Sequence, residues 1–325
     1  MHLTVTEERW PIRGRFAISR ESRTEARVVV ATLTAEGRTG RGECVPYPRY
    51  GESVEGVMAD IEAMAPRLAE GLDRQTLRAV MPAGAARNAI DCALWDLEAK
   101  AAGLRAWVLA GLPAPEPAVT AATISVGEPD VVGEEARKRA GHPLLKVKLG
   151  DVAVVESLTA VRENAPAARL IVDANEAWTP ELLADLGPEL QRLGVEMVEQ
   201  PLPAGEDAAL ADIRCPVPLC ADESCHGANG VAALADRYRM VNIKLDKTGG
   251  LTEALAVRRA AEDAGLGVMI GCMVGTSLAM APATLLTPHA AFVDLDGPLI
   301  LDRDRDAGLS FEDGRVHPPT PALWG

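Results

Sequence analysis

The sequence predicts an α/β protein: a parallel eight-stranded barrel preceded by a smaller α+β module. Three observations carry this expectation. Lys148, Asp173, Glu199, Asp222 and Lys244 follow one another at steps of 25, 26, 23 and 22 residues, about what one strand, one helix and two short loops require. Each closes a short apolar run, as in Leu144-Leu-Lys-Val-Lys148 and Leu170-Ile-Val-Asp173. Buried parallel strands read as continuous apolar runs, so a charge ending each one belongs to a site at the strand C-termini. The length, 325 residues with 48% hydrophobic, suits a barrel plus a module. Aromatic residues make up only 3%, so aliphatic and alanine packing must fill the core.

Residues 1–114 are expected to form the α+β module. Ala26–Thr34 and Gly40–Val45 read as antiparallel strands joined by a turn at Glu36-Gly37, followed by helices near 53–71 and 84–102. In the second helix Ala89, Ile90, Ala93, Leu94 and Leu97 share one apolar face. Strands followed by helices indicate α+β order. Residues 115–300 then alternate strand and helix, with strands near 118–126, 144–149, 169–173, 195–199, 218–222, 240–245, 267–271 and 291–296. Eight such strands with right-handed crossovers can close into a barrel. An open doubly wound sheet offers one crevice at its switch point and could not aim five successive strand ends at one centre. Residues 301–325 form a C-terminal segment, whose hairpin around Asp313-Gly314 is expected to return to the first domain.

The formal net charge of −14 argues against nucleic acid, because a phosphate backbone needs a positive face. The amino terminus shows no basic stretch followed by an apolar one, so a cytoplasmic location is expected. Residues 264–293 contain no Asp, Glu, Lys or Arg, but six glycines and prolines break them. They read as strand, helix and strand of a barrel wall rather than a membrane span. Cys215, Cys220, Cys225 and His226 invite a zinc reading. Their spacing straddles a strand, so Cys220 and Cys225 should face different surroundings, and reduced structural cysteines are expected.

Counted along the barrel, Lys146 and Lys148 lie on the second strand, Asp173 on the third, Glu199 on the fourth, Asp222 on the fifth and Lys244 on the sixth. Strands two and six are opposite in a closed barrel. Three carboxylates can therefore hold one cation on one wall while two lysines face each other across the pocket. All-oxygen ligands suit a hard ion, Mg²⁺ before Mn²⁺. Such a site fits removal of a proton next to a carboxylate, where a divalent ion stabilises the charge of the enediolate. Lys148 would be a base and Lys146 its electrostatic neighbour, and burial, the metal and the second ammonium should all depress the base's pKa. Bases on opposite faces of a carbanion invert a stereocentre, which points to racemisation or epimerisation, though cycloisomerases can carry the same pair.

Lys146-x-Lys148, Asp173-Ala-Asn175, Glu199-Gln-Pro201, Asp222-Glu-Ser224 and Asn242-Ile-Lys244 together resemble the enolase superfamily in its muconate-lactonising-type subgroup, and within it the L-Ala-D/L-Glu (dipeptide) epimerases. The resemblance implies a modified (β/α)7β TIM-like barrel with an α+β capping domain, and Mg²⁺ as cofactor, one per subunit. It implies Lys148, Lys244 and Lys146 as catalytic residues and Asp173, Glu199 and Asp222 as metal ligands. It also implies that Asp294-x-Asp296 binds the free amino terminus of a dipeptide, and alternation on the eighth strand should turn both carboxylates into the pocket. Loops near 15–25 and 44–53 would close over the substrate. Arg23 would pair with its side-chain carboxylate, Arg20, Arg27 and Arg49 being nearby competitors, and Thr123 and Cys272 would line the pocket. The activity so implied is two-lysine 1,1-proton transfer at the Glu α-carbon of L-Ala-D/L-Glu, in murein peptide recycling. Epimerisation of another dipeptide, racemisation of an N-succinyl amino acid, or cycloisomerisation is the runner-up. The expected partner is the small-molecule substrate, with no nucleic acid and no membrane; a homo-oligomer is compatible with the sequence.

Overall fold

The structure, a computed structural model, describes residues 1–18 and 22–325. It opens with an antiparallel sheet of three consecutive strands, His2–Ala17, Ser22–Ala35 and Arg38–Cys44. Glu36 and Gly37 make the second turn at φ 50° and 75°, as a tight hairpin requires. The first strand goes beyond the sequence reading, which began at Ala26; only Ile12 and Ala17 of it are buried. Its chain is mostly polar and lies at the sheet's edge, so it gives a weak hydrophobic signal.

The sheet covers the long helix Ala85–Ala102, whose predicted apolar face is wholly buried against Val29, Ala31 and Leu33. Close packing depends on glycine here. A Cβ on Gly42 would sit 2.1 Å from the Ala89 carbonyl oxygen, and one on Gly40 2.3 Å from that of Ala93. The helix expected at 53–71 is two, Val54–Glu62 and Ala65–Ala69, with Pro66 opening the second. A further helix, Arg74–Val80, is capped by Asp73, which accepts from the Thr76 amide at 2.7 Å.

The eight barrel strands are Ala122–Ile124, Leu144–Lys148, Arg169–Asp173, Val195–Glu199, Leu219–Ala221, Met240–Ile243, Gly267–Ile270 and Phe292–Val293. They pair in parallel in sequence order as one curled sheet. The seam between first and eighth is joined not by a ladder but by Ala121 N donating to Val293 O at 2.8 Å and Leu295 N to Thr120 Oγ1 at 2.9 Å. The interior is layered. Ala121, Leu144, Ile171, Met197, Cys220, Met240, Met269 and Phe292 form one apolar cluster, seven from within their strands and Ala121 from just before the first, as barrel cores do. Two residues further along sit Lys146, Asp173, Glu199, Asp222, Asn242 and Asp294, so strand alternation carries polar groups above an apolar plug. The intervening Leu145, Val147, Val172 and Val198 face outward into the main core.

The C-terminal hairpin corrects its prediction. Phe311–Glu312 pairs with Arg315–Val316, which in turn pairs with Ala118–Val119, just before the first barrel strand, at the end away from the charged strand termini. The last residues, not the hairpin, return to the capping helix. Trp324 Nε1 donates to Cys92 O at 3.0 Å, Gly325 N to Asp96 Oδ1 at 2.7 Å, and Arg105 Nε to Gly325 O at 2.6 Å. Among the described residues no helix is long and apolar enough to cross a membrane.

Candidate active site

The strand register sets the charges side by side. Lys148 is opposite Asp173, and Asp173 opposite Glu199, across neighbouring strands. Asp222, Lys244 and Cys272 each lie just past the end of their strand, and Lys244 opens the short helix Leu245–Thr248. All are nearly excluded from water, except Cys272, which is half-buried. Burying a lone charge is costly, so each charge must be paired.

The pairing is dense. Lys146 Nζ lies 2.7 Å from both Asp294 Oδ2 and Glu199 Oε2, and 3.2 Å from Asp173 Oδ2. Lys148 holds Asp173, and Lys244 holds Asp222. Two residues to which the sequence reading gave no role in the site complete the set. Lys247 contacts Asp222 Oδ1 at 2.6 Å and donates to Asn242 O at 3.0 Å; Asn242 Nδ2 donates to Glu199 Oε1 at 2.7 Å. Asn242 shares the inward face with Lys244 by simple alternation, and a second lysine three residues after the first was the available sign for Lys247. Gln200, also given no role there, sits at φ 34°; its Oε1 accepts from Asp222 N at 2.9 Å and Ser224 N at 3.1 Å, fixing the backbone on both sides of Glu223.

Charge is unevenly distributed. Burial opposes ionisation of Asp173, but Lys148 and Lys146 hold its carboxyl below the ordinary range. Lys244 and Lys247 do the same for Asp222. Glu199, buried and next to Asp173, is pushed up to about 8. Lys244 is held above the ordinary lysine range, because Asp222 and Glu199 outweigh its burial. Lys146 is likewise raised by Asp294, Glu199 and Asp173.

Among the described residues no three His, Cys, Asp or Glu side chains converge as ligands of an ion; lysine ammonium groups lie between the carboxylates. The donor set nevertheless fits a hard divalent cation. It is all oxygen, spans three adjacent strand ends, and includes Glu199 Oε2 and Asp222 Oδ1, which touch lysines without an aligned hydrogen bond. A cation there would take over oxygens that Lys148 and Lys244 now contact. The cysteine alternative fails. Cys220 belongs to the apolar plug, Cys225 to the main core, and the His226 ring lies edge-on against Tyr50.

Two adjoining cavities share Phe16, Lys148, Cys272, Met273 and Val274. One holds Lys148, Lys244, Asp222 and Arg23; the other holds Lys146, Thr123, Asp294 and Asp296. Every candidate residue except Asp173 and Glu199, which lie beneath the lysines, therefore lines this composite pocket. The reason given for Asp294 and Asp296 needs correction. The eighth strand ends at Val293, and Asp296 (φ −86°, ψ 3°) is the cap of the short helix Gly297–Ile300. Asp294 Oδ1 is buried and, among the described residues, accepts no hydrogen bond, while Asp296 Oδ2 accepts from Thr123 N at 2.7 Å. Burial and Asp294 push Asp296 up to about 7, against the Thr123 amide and Lys146.

Arg23 is the arginine at the pocket, its guanidinium 5.3 Å from the Tyr47 ring centre. Arg27 pairs with Glu7 and Glu55, and Arg49 binds Glu176 bidentately at 2.8 and 2.9 Å. Arg20 lies outside the described residues. Of the two expected covering loops, Phe16, Ile18 and Arg23 contribute from one and Tyr47 and Tyr50 from the other.

The chain matches the family described as mandelate racemase / muconate lactonizing enzyme, N-terminal domain, over residues 1–111. It matches enolase C-terminal domain-like proteins over residues 131–322. It is 51% identical to the L-Ala-D/L-Glu epimerase of Escherichia coli (strain K12) over 96% of this chain and 98% of that protein. The N-acetyl-D-glutamate racemase of a Pseudoalteromonas species is 42% identical over 92% and 95%. An enolase family member from Agrobacterium tumefaciens with homology to dipeptide epimerases, solved with sodium and L-Ala-L-Glu, superposes with a TM-score of 0.98 at 54% identity, covering 100% and 99% of the two chains. The dipeptide epimerase of Enterococcus faecalis, complexed with Mg and L-Leu-L-Tyr, gives 0.90 at 28% identity, covering 98% and 96%.

Proposed function

Because this chain belongs to the enolase superfamily, with both the N-terminal and the C-terminal domain of the mandelate racemase / muconate lactonizing enzymes, we propose that it is a dipeptide epimerase acting on L-Ala-D/L-Glu. The observation that carries this reading is one cavity bearing Lys148 and Lys244 on opposite strands with Arg23 beside them, adjoining a carboxylate pair at Asp294 and Asp296. The substrate's ammonium sits between Asp294 Oδ1 and Asp296, and Arg23 takes the Glu side-chain carboxylate as a bidentate partner. This places the α-carbon between the lysines. One lysine removes the α-proton and the other delivers a proton to the opposite face, which inverts the centre. Asp173, Glu199 and Asp222 hold Mg²⁺, which when bound supplies fixed positive charge for the substrate carboxylate as the proton leaves. L-Ala-Glu is a fragment of cell-wall peptide, and we place the enzyme in murein peptide recycling in the cytoplasm.

The 42% identical N-acetyl-D-glutamate racemase supports a second reading, an N-acylated glutamate as substrate. Asp296 discriminates between the two. An ammonium needs ionised Asp296, and a carboxyl whose pKa is raised to about 7 is ionised only above that pH. On a dipeptide, kcat/KM is therefore expected to rise about tenfold per pH unit below 7 and to level off above it. Asp294, Lys146 and Cys272 are the other titratable groups facing Asp296. Asp296→Ala should remove this limb and impair L-Ala-Glu while sparing N-acetyl-Glu. A faster wild-type reaction with N-acetyl-Glu, unaffected by Asp296→Ala, would select the second reading.

Arg23→Leu tests side-chain recognition. Losing a charge-assisted hydrogen bond of about 1.5–3 kcal/mol should lower kcat/KM for Glu-containing dipeptides by roughly ten- to over a hundredfold. Aliphatic dipeptides should change little. Equal losses across a dipeptide panel would make Arg23 structural.

A further inference from the structure

The capping domain reaches Lys244 from behind, by contacts that proton transfer does not itself require. Asp246, two residues past Lys244, lies in the Leu245–Thr248 turn and is buried. Its Oδ1 accepts from Val45 N at 3.0 Å and from Asn88 Nδ2 at 2.9 Å. Val45 stands at the root of the 44–53 loop, whose Tyr47 and Tyr50 line the cavity beside Lys244. Asn88 lies on the long capping helix, as does Arg87, which donates to Thr248 O at 2.6 Å and Gly249 O at 3.0 Å. One turn further along, Asp91 accepts from Thr252 N at 3.0 Å. Gly250 (φ 109°) leaves Asp91 its space, since a Cβ there would come within 2.4 Å of the carboxylate.

One carboxylate thus joins the root of the covering loop, the capping helix and the turn that begins at Lys244. Lys244 itself gives that turn no side-chain cap, so its backbone is held from the capping side. We infer that Asp246 is a positioning residue for Lys244, which makes one of the two proton transfers, and not the other, depend on the seating of the 44–53 loop. Lys148 lies within its buried strand, in register with Asp173, whereas Lys244 lies one residue past the end of its own. The inference rests on the two-lysine reading above.

The test is α-proton exchange in D₂O, followed by NMR for each Glu epimer of L-Ala-Glu with full-length enzyme and Mg²⁺. Asp246→Ala removes the acceptor and should slow exchange of one epimer at least about tenfold, since small misplacements of a reacting group are costly. The other epimer should stay within about twofold, and Mg²⁺ affinity by calorimetry should not change. The slowed epimer should be the one that Lys244→Ala suppresses. Asp246→Asn keeps an oxygen acceptor and should restore most of the rate. Asn88→Ala, which removes one donor only, should give a smaller loss with the same asymmetry and serves if Asp246→Ala does not fold. Equal slowing of both epimers, or no slowing, overturns the inference while the two-lysine reading stands. Epimerisation surviving in Lys148→Ala or Lys244→Ala overturns the two-lysine reading, and this inference with it.

Discussion

Lys148→Ala and Lys244→Ala are each expected to abolish epimerisation of L-Ala-Glu, by about 10²–10⁴-fold or more, the usual contribution of a positioned acid or base. The two lysines enter one cavity from the second and sixth strands, so each reaches one face of the α-carbon. Inversion needs both faces; exchange of a proton at one face needs one lysine. In D₂O the two variants should therefore favour exchange of opposite epimers. Each lysine also neutralises a buried carboxylate, Lys148 that of Asp173 and Lys244 that of Asp222, so residual exchange will be slower than in the wild type. Near-wild-type epimerisation by either variant, measured polarimetrically, would end the two-base mechanism.

Removal of divalent metal by a chelator is expected to abolish turnover, and Mg²⁺ to restore it. Buried negative charge is the reason. Asp173, Glu199 and Asp222 are fully buried side by side, and Glu199 is pushed up to about 8 by burial and by Asp173. A cation worth several kcal/mol of transition-state stabilisation corresponds to a loss of about a thousandfold or more. Asp173→Asn and Glu199→Gln should lose Mg²⁺ affinity in calorimetry. They should also lower the melting temperature, because removing one partner of a buried ion pair costs about 3–5 kcal/mol. Chelation leaves those pairs intact and is the cleaner arm. Full activity in metal-free enzyme would refute the metal reading.

The charged strand ends were legible because each closes an apolar run and the runs recur at one spacing. Strand alternation then placed Lys146, Lys148 and Asp173 on the inward face, as found. Asp294 and Asp296 were found for a reason that only half holds: the ladder stops before them, and a helix cap rather than a pleat orients Asp296. Residues whose partners are distant in sequence left no local trace. Asp246 meets Val45 and Asn88 across 201 and 158 residues, and the Glu43 carboxylate receives the Thr276 amide across 233. Periodicity cannot report such contacts, since they depend on how two separately patterned units dock. The raised Lys244 pKa left no local sign for a related reason. Burial was visible in the sequence, but the number of carboxylates gathered round one ammonium depends on the barrel's closure.

The docking of Trp324 and Gly325 on the capping helix has a consequence for the order of folding. Cys92, Asp96 and Arg105 are made long before their partners Trp324 and Gly325, which lie 220 to 232 positions later. On a ribosome these contacts must wait until the barrel between them has been synthesised, although Asp96 Oδ2 can already accept from Arg41 N and Lys100 within the capping unit. Closing so long a loop is entropically affordable, because the cost grows only with the logarithm of length, but it is slow, as contacts of high sequence separation are. The capping helix thus gains these contacts only once the residues of the barrel have been made.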